Sequence, residues 1–228
     1  MAAEIETYVI PRYLYRYRSL KEFDREMQSI ETDYLYCANY RAMNDPMEGH
    51  YSTSKLLQKS ADAGEVRDAI FSEKMAIGIC SFSEVFDNEL MWAHYANQFR
   101  GICVAYDFFN LRKYLPFGIT FSRVYYNEEV PKVGHSKRRN SDRIAKMILS
   151  YKKHQWPYER EWRMFANIGE VYYQSQKCVA RVYIGARIER TRLNQITSRL
   201  SALKIPYRIQ KLAGYHMSFH RAANAKVP

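Results

Sequence analysis

The sequence predicts an α+β fold in a single domain over residues 1–228, and three observations support this prediction. Segments with strand character outnumber segments with helical periodicity, and the two rarely alternate as they do in doubly wound proteins. Hydrophobic residues make up 47% of the chain and aromatic residues 15%, which is enough apolar material for a core. The 7 prolines and 9 glycines are dispersed, so no stretch is typical of a linker between two domains.

The first half of the chain opens with alternating aromatic residues, which predict a strand over 13–18. Apolar residues at helical spacing then predict a helix over 20–30. The run Asn44-Asp45-Pro46 predicts a turn, because Asn and Asp side chains bond their own backbone and Pro fixes φ. The other elements predicted in this half are a strand over 34–38, a polar helix over 54–75, a strand over 75–82, a helix over 88–98, and strands over 101–107 and 121–126.

The second half begins with a basic segment containing Pro and Gly, which predicts an exposed loop over 131–140. Asn140 or Ser141 is the expected N-cap of a helix that runs to Tyr151. The other elements predicted here are strands over 161–166 and 178–184, a helix carrying Leu193, Ile196, Leu200 and Leu203, and a last strand over 207–211.

The positive charge lies in the C-terminal portion, residues 131–228. Residues 1–130 hold 14 Lys and Arg against 19 Asp and Glu, whereas 131–163 hold 10 against 3 and 177–228 hold 11 against 1. This asymmetry favours a polyanionic partner such as RNA or DNA. The alternative is that the charges keep a tyrosine-rich surface soluble.

The four cysteines are scattered, without a CxxC motif or a Cys/His cluster, which favours buried, reduced thiols over a disulfide frame or a zinc site. The first 13 residues lack a basic stretch followed by an apolar one, so no secretory signal is expected. The sequence has no run of 18 apolar residues that would span a membrane. We therefore expect a cytoplasmic protein without a membrane partner.

The run Glu159-Arg160-Glu161 is the most informative segment of the sequence for a catalytic site. On an extended segment, two carboxylates two residues apart point to the same side. One of them could stabilise a developing cation or hold a ribose hydroxyl, and the other could take a proton from an acceptor. The alternative is an exposed strand edge on which Arg160 and Arg163 screen the two acids.

Two further pairs could complete such a site. Arg16 and Arg18 share the spacing of two on the opening strand, where a guanidinium could clamp a pyrophosphate. Ser81 and Ser83 end a strand that could be positioned around a ribose. The two arginines could also be structural, because strand arginines are usually solvated. The two serines could be structural as well, because Ser-Phe-Ser is a common sequence.

Five stretches of the sequence carry a resemblance to known proteins: LYRYRSL, LYCANYRAMNDPMEGHY, ICSFSEVFDNELMWAHYANQFRGICVAYDF, KKHQWPYEREWRMF and VYIGARI. The resemblance runs from about Leu14 to Phe219 and includes an Asn-Asp-Pro turn, a W-x-x-Y motif and a W-x-Y-E-x-E-x-R motif. Together the stretches resemble a prokaryotic family of unknown function, some of whose members are described as abortive phage-resistance proteins. This resemblance implies a role in phage defence but no particular activity.

The order of an Arg on the first strand, Ser-x-Ser at the end of a middle strand and Glu-x-Glu at a late strand resembles the Arg–Ser–Glu class of ADP-ribosyltransferases. That resemblance implies a split β-sandwich with peripheral helices, NAD⁺ as the cofactor and transfer to a nucleic acid or a protein. The roles it implies are NAD⁺ phosphate contact for Arg16 or Arg18, support of the active-site strand and carboxylate for Ser81 and Ser83, ribose contact and charge stabilisation for Glu161, and acceptor activation for Glu159. Tyr95 is a further candidate, for stacking on nicotinamide or adenine.

Two other functions stay open. A non-catalytic nucleic-acid sensor or antitoxin-like module would use the basic portion but would not need Glu161. A metal-dependent nuclease would use Asp45, Glu159, Glu161 and Lys153, although no compact acid–acid–Lys motif supports it. His216 and His220 lie on a segment that reads as extended, so we expect no metal site there. The sequence leaves open a partner protein or a homodimer.

Overall fold

The fold of the chain is α+β, as the sequence predicts. The computed structural model describes residues 9–134 and 140–220, and this part contains seven α-helices and a ten-stranded mixed sheet. The helices are α1 (Phe23–Glu31), α2 (Lys55–Gln58), α3 (Ala63–Ala76), α4 (Glu89–Tyr95), α5 (Phe108–Tyr114), α6 (Ser141–Ile148) and α7 (Arg190–Ala202).

Fourteen strands are present in the described residues, and ten of them form the main sheet. The strands are β1 (Tyr13–Arg18), β2 (Tyr34–Asn39), β3 (Ser52–Thr53), β4 (Ile77–Ser83), β5 (Ile102–Asp107), β6 (Thr120–Arg123), β7 (Tyr125–Asn127), β8 (Lys132–Val133), β9 (Tyr151–Lys153), β10 (Glu161–Asn167), β11 (Gly169–Tyr172), β12 (Val179–Ile184), β13 (Tyr207–Ala213) and β14 (His216–His220). The sheet order is β11-β2-β4-β1-β5-β12-β13-β14, with β10 between β4 and β6 off this path. Only β12 and β13 are parallel within it, while β3–β8 and β7–β9 form two small separate parallel pairs.

Most predicted elements are confirmed to within a few residues, and the differences have local causes. The predicted polar helix over 54–75 is two helices: α2 is capped by Ser54 and ends at Gln58, and in the turn before α3 the Ser60 hydroxyl donates to the Leu57 carbonyl at 2.7 Å. Asn140 is the N-cap of α6 and accepts a hydrogen bond from Arg143 N at 2.8 Å. The predicted exposed loop over 131–140 is wrong in part, because it contains β8; its residues 135–139 lie outside the described residues.

Each face of the main sheet is covered by its own hydrophobic core. On one face, α1, α5 and α7 pack against the sheet, with Leu14, Phe82 and Trp162 among the buried residues. On the other face, α4 packs on the sheet around Trp92 and Tyr183, together with side chains of the last strand, β14. The four cysteines are all buried and free, in agreement with the prediction of reduced thiols. No helix among the described residues combines the length and apolar character needed to cross a membrane.

An opening in the sheet lies beside β4. On one side β4 pairs with β10 along its full length, from Ile77 to Ser83. On the other side it pairs with β2 at Gly78 and Ile79 and with β1 only at Ser83. The stretch 80–82 therefore has no register partner from β1 or β2, and these two strands diverge around it. Gly78 lets the chains approach at the base of the opening, because a Cβ there would lie 2.6 Å from the carbonyl oxygen of Asn167.

Candidate active site

A cavity of about 290 Å³ lies at the opening between β1 and β2. Its walls come from β1, β2 and β4, from α4, from the loop over 42–48 and from the residues that lead into β10. All the site residues of the ADP-ribosyltransferase hypothesis line this one cavity: Arg16, Arg18, Ser81, Ser83, Tyr95, Glu159 and Glu161. The fold thus brings together residues from four distant segments of the chain.

The two candidate carboxylates are not on one extended segment, contrary to the sequence interpretation. Glu159 ends a short 3₁₀ turn over Pro157–Glu159, and Arg160 adopts a left-handed conformation with φ 44°. Only Glu161 lies on β10. The turn, not the alternation of a strand, brings the two side chains together.

Ser83 holds this turn against the end of β4. Its Oγ donates a hydrogen bond to the carbonyl oxygen of Glu159 at 2.6 Å and accepts one from Val85 N at 3.2 Å. Ser83 is 1% exposed, so these bonds are shielded from water. Ser83 therefore supports the backbone of Glu159, whereas the sequence interpretation assigned it to the catalytic carboxylate.

The alternative of an exposed strand edge is wrong, because both carboxylates are buried. Glu159 is 3% exposed and Glu161 is 4% exposed. Arg163 is fully buried, and its Nε and Nη2 donate to Glu161 at 2.8 and 3.0 Å. Arg160 pairs instead with Glu84, with 2.9 Å between Nη2 and Oε2.

Lys152, on β9, joins the carboxylates into one cluster. Its Nζ lies 2.6 Å from Glu159, 3.4 Å from Glu161 and 3.5 Å from Glu48. Glu48 also lies 2.7 Å from Nη1 of Arg163. Three carboxylates and two cations thus form a buried ion cluster, which consists of Glu48, Lys152, Glu159, Glu161 and Arg163.

The surroundings shift the pKa values of the two candidate carboxyls in opposite directions. Burial alone would raise the pKa of Glu161, but Arg163 and Lys152 outweigh burial and lower this pKa to about 2. At Glu159, burial is the largest effect and raises the pKa above its ordinary value, against the opposing charge of Lys152. Glu161 is therefore ionised at neutral pH, and Glu159 binds a proton more readily than an exposed glutamate does.

Tyr95 and Ser81 complete the floor of the cavity. The Tyr95 hydroxyl donates to Oε1 of Glu159, so this tyrosine orients a carboxylate in addition to offering a ring for stacking. Burial, followed by the charge of Glu159, raises the pKa of Tyr95 and keeps its hydroxyl protonated. Ser81 lies directly opposite Arg163 in the β4–β10 register, and its buried Oγ has no hydrogen-bond partner within the part of the chain that the structure describes.

Arg16 and Arg18 approach from the other face of the sheet. Tyr15 pairs with Ser83, and Ser83 pairs with Glu161, so Tyr15 shares a face with Glu161 and its neighbour Arg16 does not. The opening beside β4 is what exposes Arg16 and Arg18 to the same cavity.

The two arginines differ in the bonds that they make within the protein. Arg18 makes a two-pronged ion pair with Glu26 of α1. Arg16 donates one hydrogen bond from Nη2 to the carbonyl oxygen of Tyr36 at 3.0 Å. A guanidinium has five N–H donors, so Arg16 is the better placed of the two to bind an anion in the cavity.

The sequence interpretation missed Glu48 and Lys152. Glu48 lies on the turn that follows Asp45, a confirmed turn residue whose Oδ1 accepts from Met47 N at 2.9 Å. Lys152 is buried while its neighbour Lys153 is exposed. Strand alternation predicts that one lysine of the pair is buried but does not identify which one. No other signal in the sequence separates these two lysines.

The geometry gives little support to a metal site. Lys153, which the nuclease alternative needs, does not line the cavity that holds Glu159 and Glu161. Across residues 9–134 and 140–220, no group of three or more His, Cys, Asp or Glu side chains is arranged to hold a metal ion. His216 and His220 lie on β14, in an extended segment as expected.

Comparison with known proteins gives one match. Residues 91–164 match the model of a family described as a protein of unknown function, DUF2971. The matched segment contains Tyr95, Lys152, Glu159 and Arg163, but neither β1 nor β4. No curated protein and no solved structure matches the chain.

Proposed function

We propose that this protein is an ADP-ribosyltransferase-like enzyme that uses NAD⁺ to modify a macromolecule. The observation that carries the proposal is the convergence of Arg16, Ser81 and Glu161 on one cavity, although 145 positions separate the first from the last in the chain. The cavity opens where two strands of the sheet diverge. An ionised carboxylate, an arginine and tyrosine rings on its walls suit a ligand with a cationic ring, a ribose and phosphates.

NAD⁺ supplies a glycosidic bond between nicotinamide and ribose, and breaking this bond builds positive charge on the ribose. Glu161 is held beside that position by Arg163 and remains ionised at neutral pH. A fixed carboxylate in a site shielded from water stabilises such charge much more than it would in bulk water. We therefore assign charge stabilisation to Glu161.

Glu159 is assigned to the acceptor. Its raised pKa makes it a better base than an ordinary carboxylate, because it holds an abstracted proton more firmly. Tyr95 and Lys152 donate to its two oxygens and fix its orientation. Glu159 would take the proton from the acceptor group as the ribose is transferred to it.

Arg16 is assigned to the phosphates. The cavity of about 290 Å³ is at the lower end of ligand-site volumes, so it suits a nucleoside-sized portion of the ligand. The rest of a dinucleotide would extend through the opening towards Arg16, whose free N–H groups can bind a phosphate oxygen. Arg18 then serves mainly to anchor α1 through Glu26.

The acceptor we favour is a nucleic acid, with a protein as the second choice, in the phage-defence setting implied by the resemblance described above. Support comes from basic residues of the C-terminal portion that are exposed on the structure, among them Lys153, Lys177, Arg187, Lys204 and Lys211. Other cations of this portion bind within the protein, including Lys152, Arg163 and Arg199.

The test is to incubate the purified protein with NAD⁺ that is labelled in its adenosine half, together with RNA, DNA or a protein mixture. Release of nicotinamide and transfer of label to one class of macromolecule, both lost in Glu161→Gln, would support the proposal. If the wild type releases no nicotinamide with any of these acceptors, the alternative of a non-catalytic binding module takes its place.

A further inference from the structure

The buried ion cluster holds one more carboxylate than it holds cations. Glu48, Glu159 and Glu161 face only two cations, Lys152 and Arg163, and the most exposed of the five residues is Lys152 at 8%. A net charge in a site shielded from water is costly, and a cluster of this kind relieves the cost by binding a proton. We therefore expect one of the three carboxyls to be protonated at neutral pH.

The hydrogen bonds indicate which carboxyl holds this proton. Glu161 receives two bonds from Arg163, and Glu159 receives bonds from Tyr95 and Lys152, so both have donors on each oxygen. Glu48 is held less well: its Oε2 lies 2.7 Å from Nη1 of Arg163 but accepts no hydrogen bond within the described residues. Its other oxygen, Oε1, lies 3.5 Å from Lys152, which is beyond a normal hydrogen bond. A proton on Glu48 thus disturbs the fewest contacts.

Glu48 and Lys152 also separate two cavities. Both line the cavity of the candidate active site, and both line a second cavity of about 450 Å³. Glu159 borders only the first of these two. Glu159 and Glu48 can therefore exchange protons with different cavities.

We propose that Glu48 carries the shared proton of the cluster at neutral pH and releases it to the second cavity when Glu159 gains a proton. The step balances: Glu159 takes a proton from the acceptor, and Glu48 gives one to water in the second cavity, so the cluster again holds one proton. Lys152 lies between the two carboxyls and stays charged, because burial lowers its pKa less than the surrounding carboxylates raise it. The net result is the transfer of one proton from the acceptor to water. Glu48 is a positioning residue that does not contact the substrate. The source of the proton rests on the proposed function, whereas the protonation of Glu48 does not.

The other charged groups around Glu48 are compatible with this assignment. Across the second cavity it faces Glu128, Glu129 and Lys153, and its own loop contributes Asp45 and His50. A third cavity, which Glu48 also borders, adds Arg41 and Lys74. The Lys74 ammonium is held by the Gly49 carbonyl at 2.5 Å. In agreement with the geometry, burial raises the pKa of Glu48, with Arg163 as the largest opposing influence.

The test observes the proton directly, without NAD⁺. Protein labelled with ¹³C at the glutamate carboxyls is titrated by NMR from about pH 5 to about pH 9, a range in which ordinary glutamates are ionised. The wild type should show one protonated carboxyl at neutral pH, and this signal should be absent from Glu48→Gln. Glu170→Gln, on exposed β11, is the matched control and should keep the signal.

A second variant keeps the test decisive if Glu48→Gln does not fold. Glu159→Gln leaves two carboxylates against two cations, so the titration midpoint of Glu48 should fall by about one pH unit or more. The proposal is overturned if the wild type has no protonated glutamate at neutral pH, if the signal persists unchanged in Glu48→Gln, or if the midpoint does not move in Glu159→Gln.

The kinetic readout separates the release of this proton from the proposed function. With NAD⁺ as substrate and water as acceptor, Glu48→Gln should alter the pH profile of nicotinamide release, because the release of the proton no longer depends on a titrating group. An unchanged profile beside the expected NMR result would overturn the release to the second cavity alone. If the wild type releases no nicotinamide, the proposed function fails while the protonation result stands.

Discussion

Arg163 donates two hydrogen bonds to Glu161, two residues earlier on the same strand, and both side chains are buried. Residues two apart on a strand share a face, which lets the guanidinium lie alongside the carboxylate. The same guanidinium donates to the Leu149 carbonyl at 2.6 Å and contacts Glu48 at 2.7 Å. Arg163 therefore fixes the carboxylate that the proposed chemistry depends on.

Replacing Glu161 by Gln should reduce NAD⁺ turnover by about a hundredfold to a thousandfold, because loss of such an electrostatic group costs about 3–4 kcal/mol in the transition state. Gln keeps the shape and one acceptor oxygen but loses the charge. The measurement is nicotinamide release at a temperature at which both proteins are folded by circular dichroism. Glu170→Gln is the control, and equal release from Glu161→Gln and the wild type would contradict the assignment.

Replacing Arg163 by Met should destabilise the fold by about 3–5 kcal/mol, since it leaves Glu48 and Glu161 buried without their main cation. Arg160→Met is the matched control. The Arg160 side chain is 52% exposed, and Glu84 keeps its contact with Arg123 when Arg160 is lost, so the expected cost is about 0–1 kcal/mol. Urea unfolding of the two variants measures the difference. Equal midpoints would show that the buried ion cluster does not stabilise the fold.

The stability of the fold should fall in acid because of Glu161. Its pKa is lowered in the folded state to about 2, from about 4.3 in an unfolded chain. Its contribution is therefore present above the unfolded pKa and is lost as the pH falls from about 4 towards 2, by roughly 3 kcal/mol in total. Urea unfolding across this range should show a steeper loss for the wild type than for Glu161→Gln. Parallel curves would contradict the lowered pKa.

Binding to RNA or DNA should weaken steeply with salt. If about five phosphates are neutralised, log K should fall against log salt with a slope of roughly −4. Replacing Arg208 and Lys211 on β13 by Gln should reduce that slope by roughly 2, whereas Lys146→Gln, whose ammonium pairs with Asp142, should leave it nearly unchanged. A flat binding curve between low and physiological salt would show that the charge serves solubility only.

Local sequence patterns predicted most of the helices and strands but only some residues of the candidate active site. The aromatic alternation of Tyr13–Arg18 and the cap at Asn140 are local features, and both appear in the structure. Glu48 and Lys152 are brought to Glu159 by tertiary packing, of which the neighbouring sequence carries no sign. The left-handed residue Arg160 was also missed, because glycine or asparagine usually marks that conformation.

The divergence of β1 and β2 leaves one edge of β4 without a neighbouring strand over Cys80–Phe82. In a strand, the N–H and C=O groups of alternate residues point to opposite edges, so some main-chain groups of this stretch face the cavity and not β10. Buried main-chain groups require a partner, and a molecule in the cavity would supply one. We therefore expect the amide hydrogen exchange of this stretch to be fast in the free protein and slow when the cavity is filled.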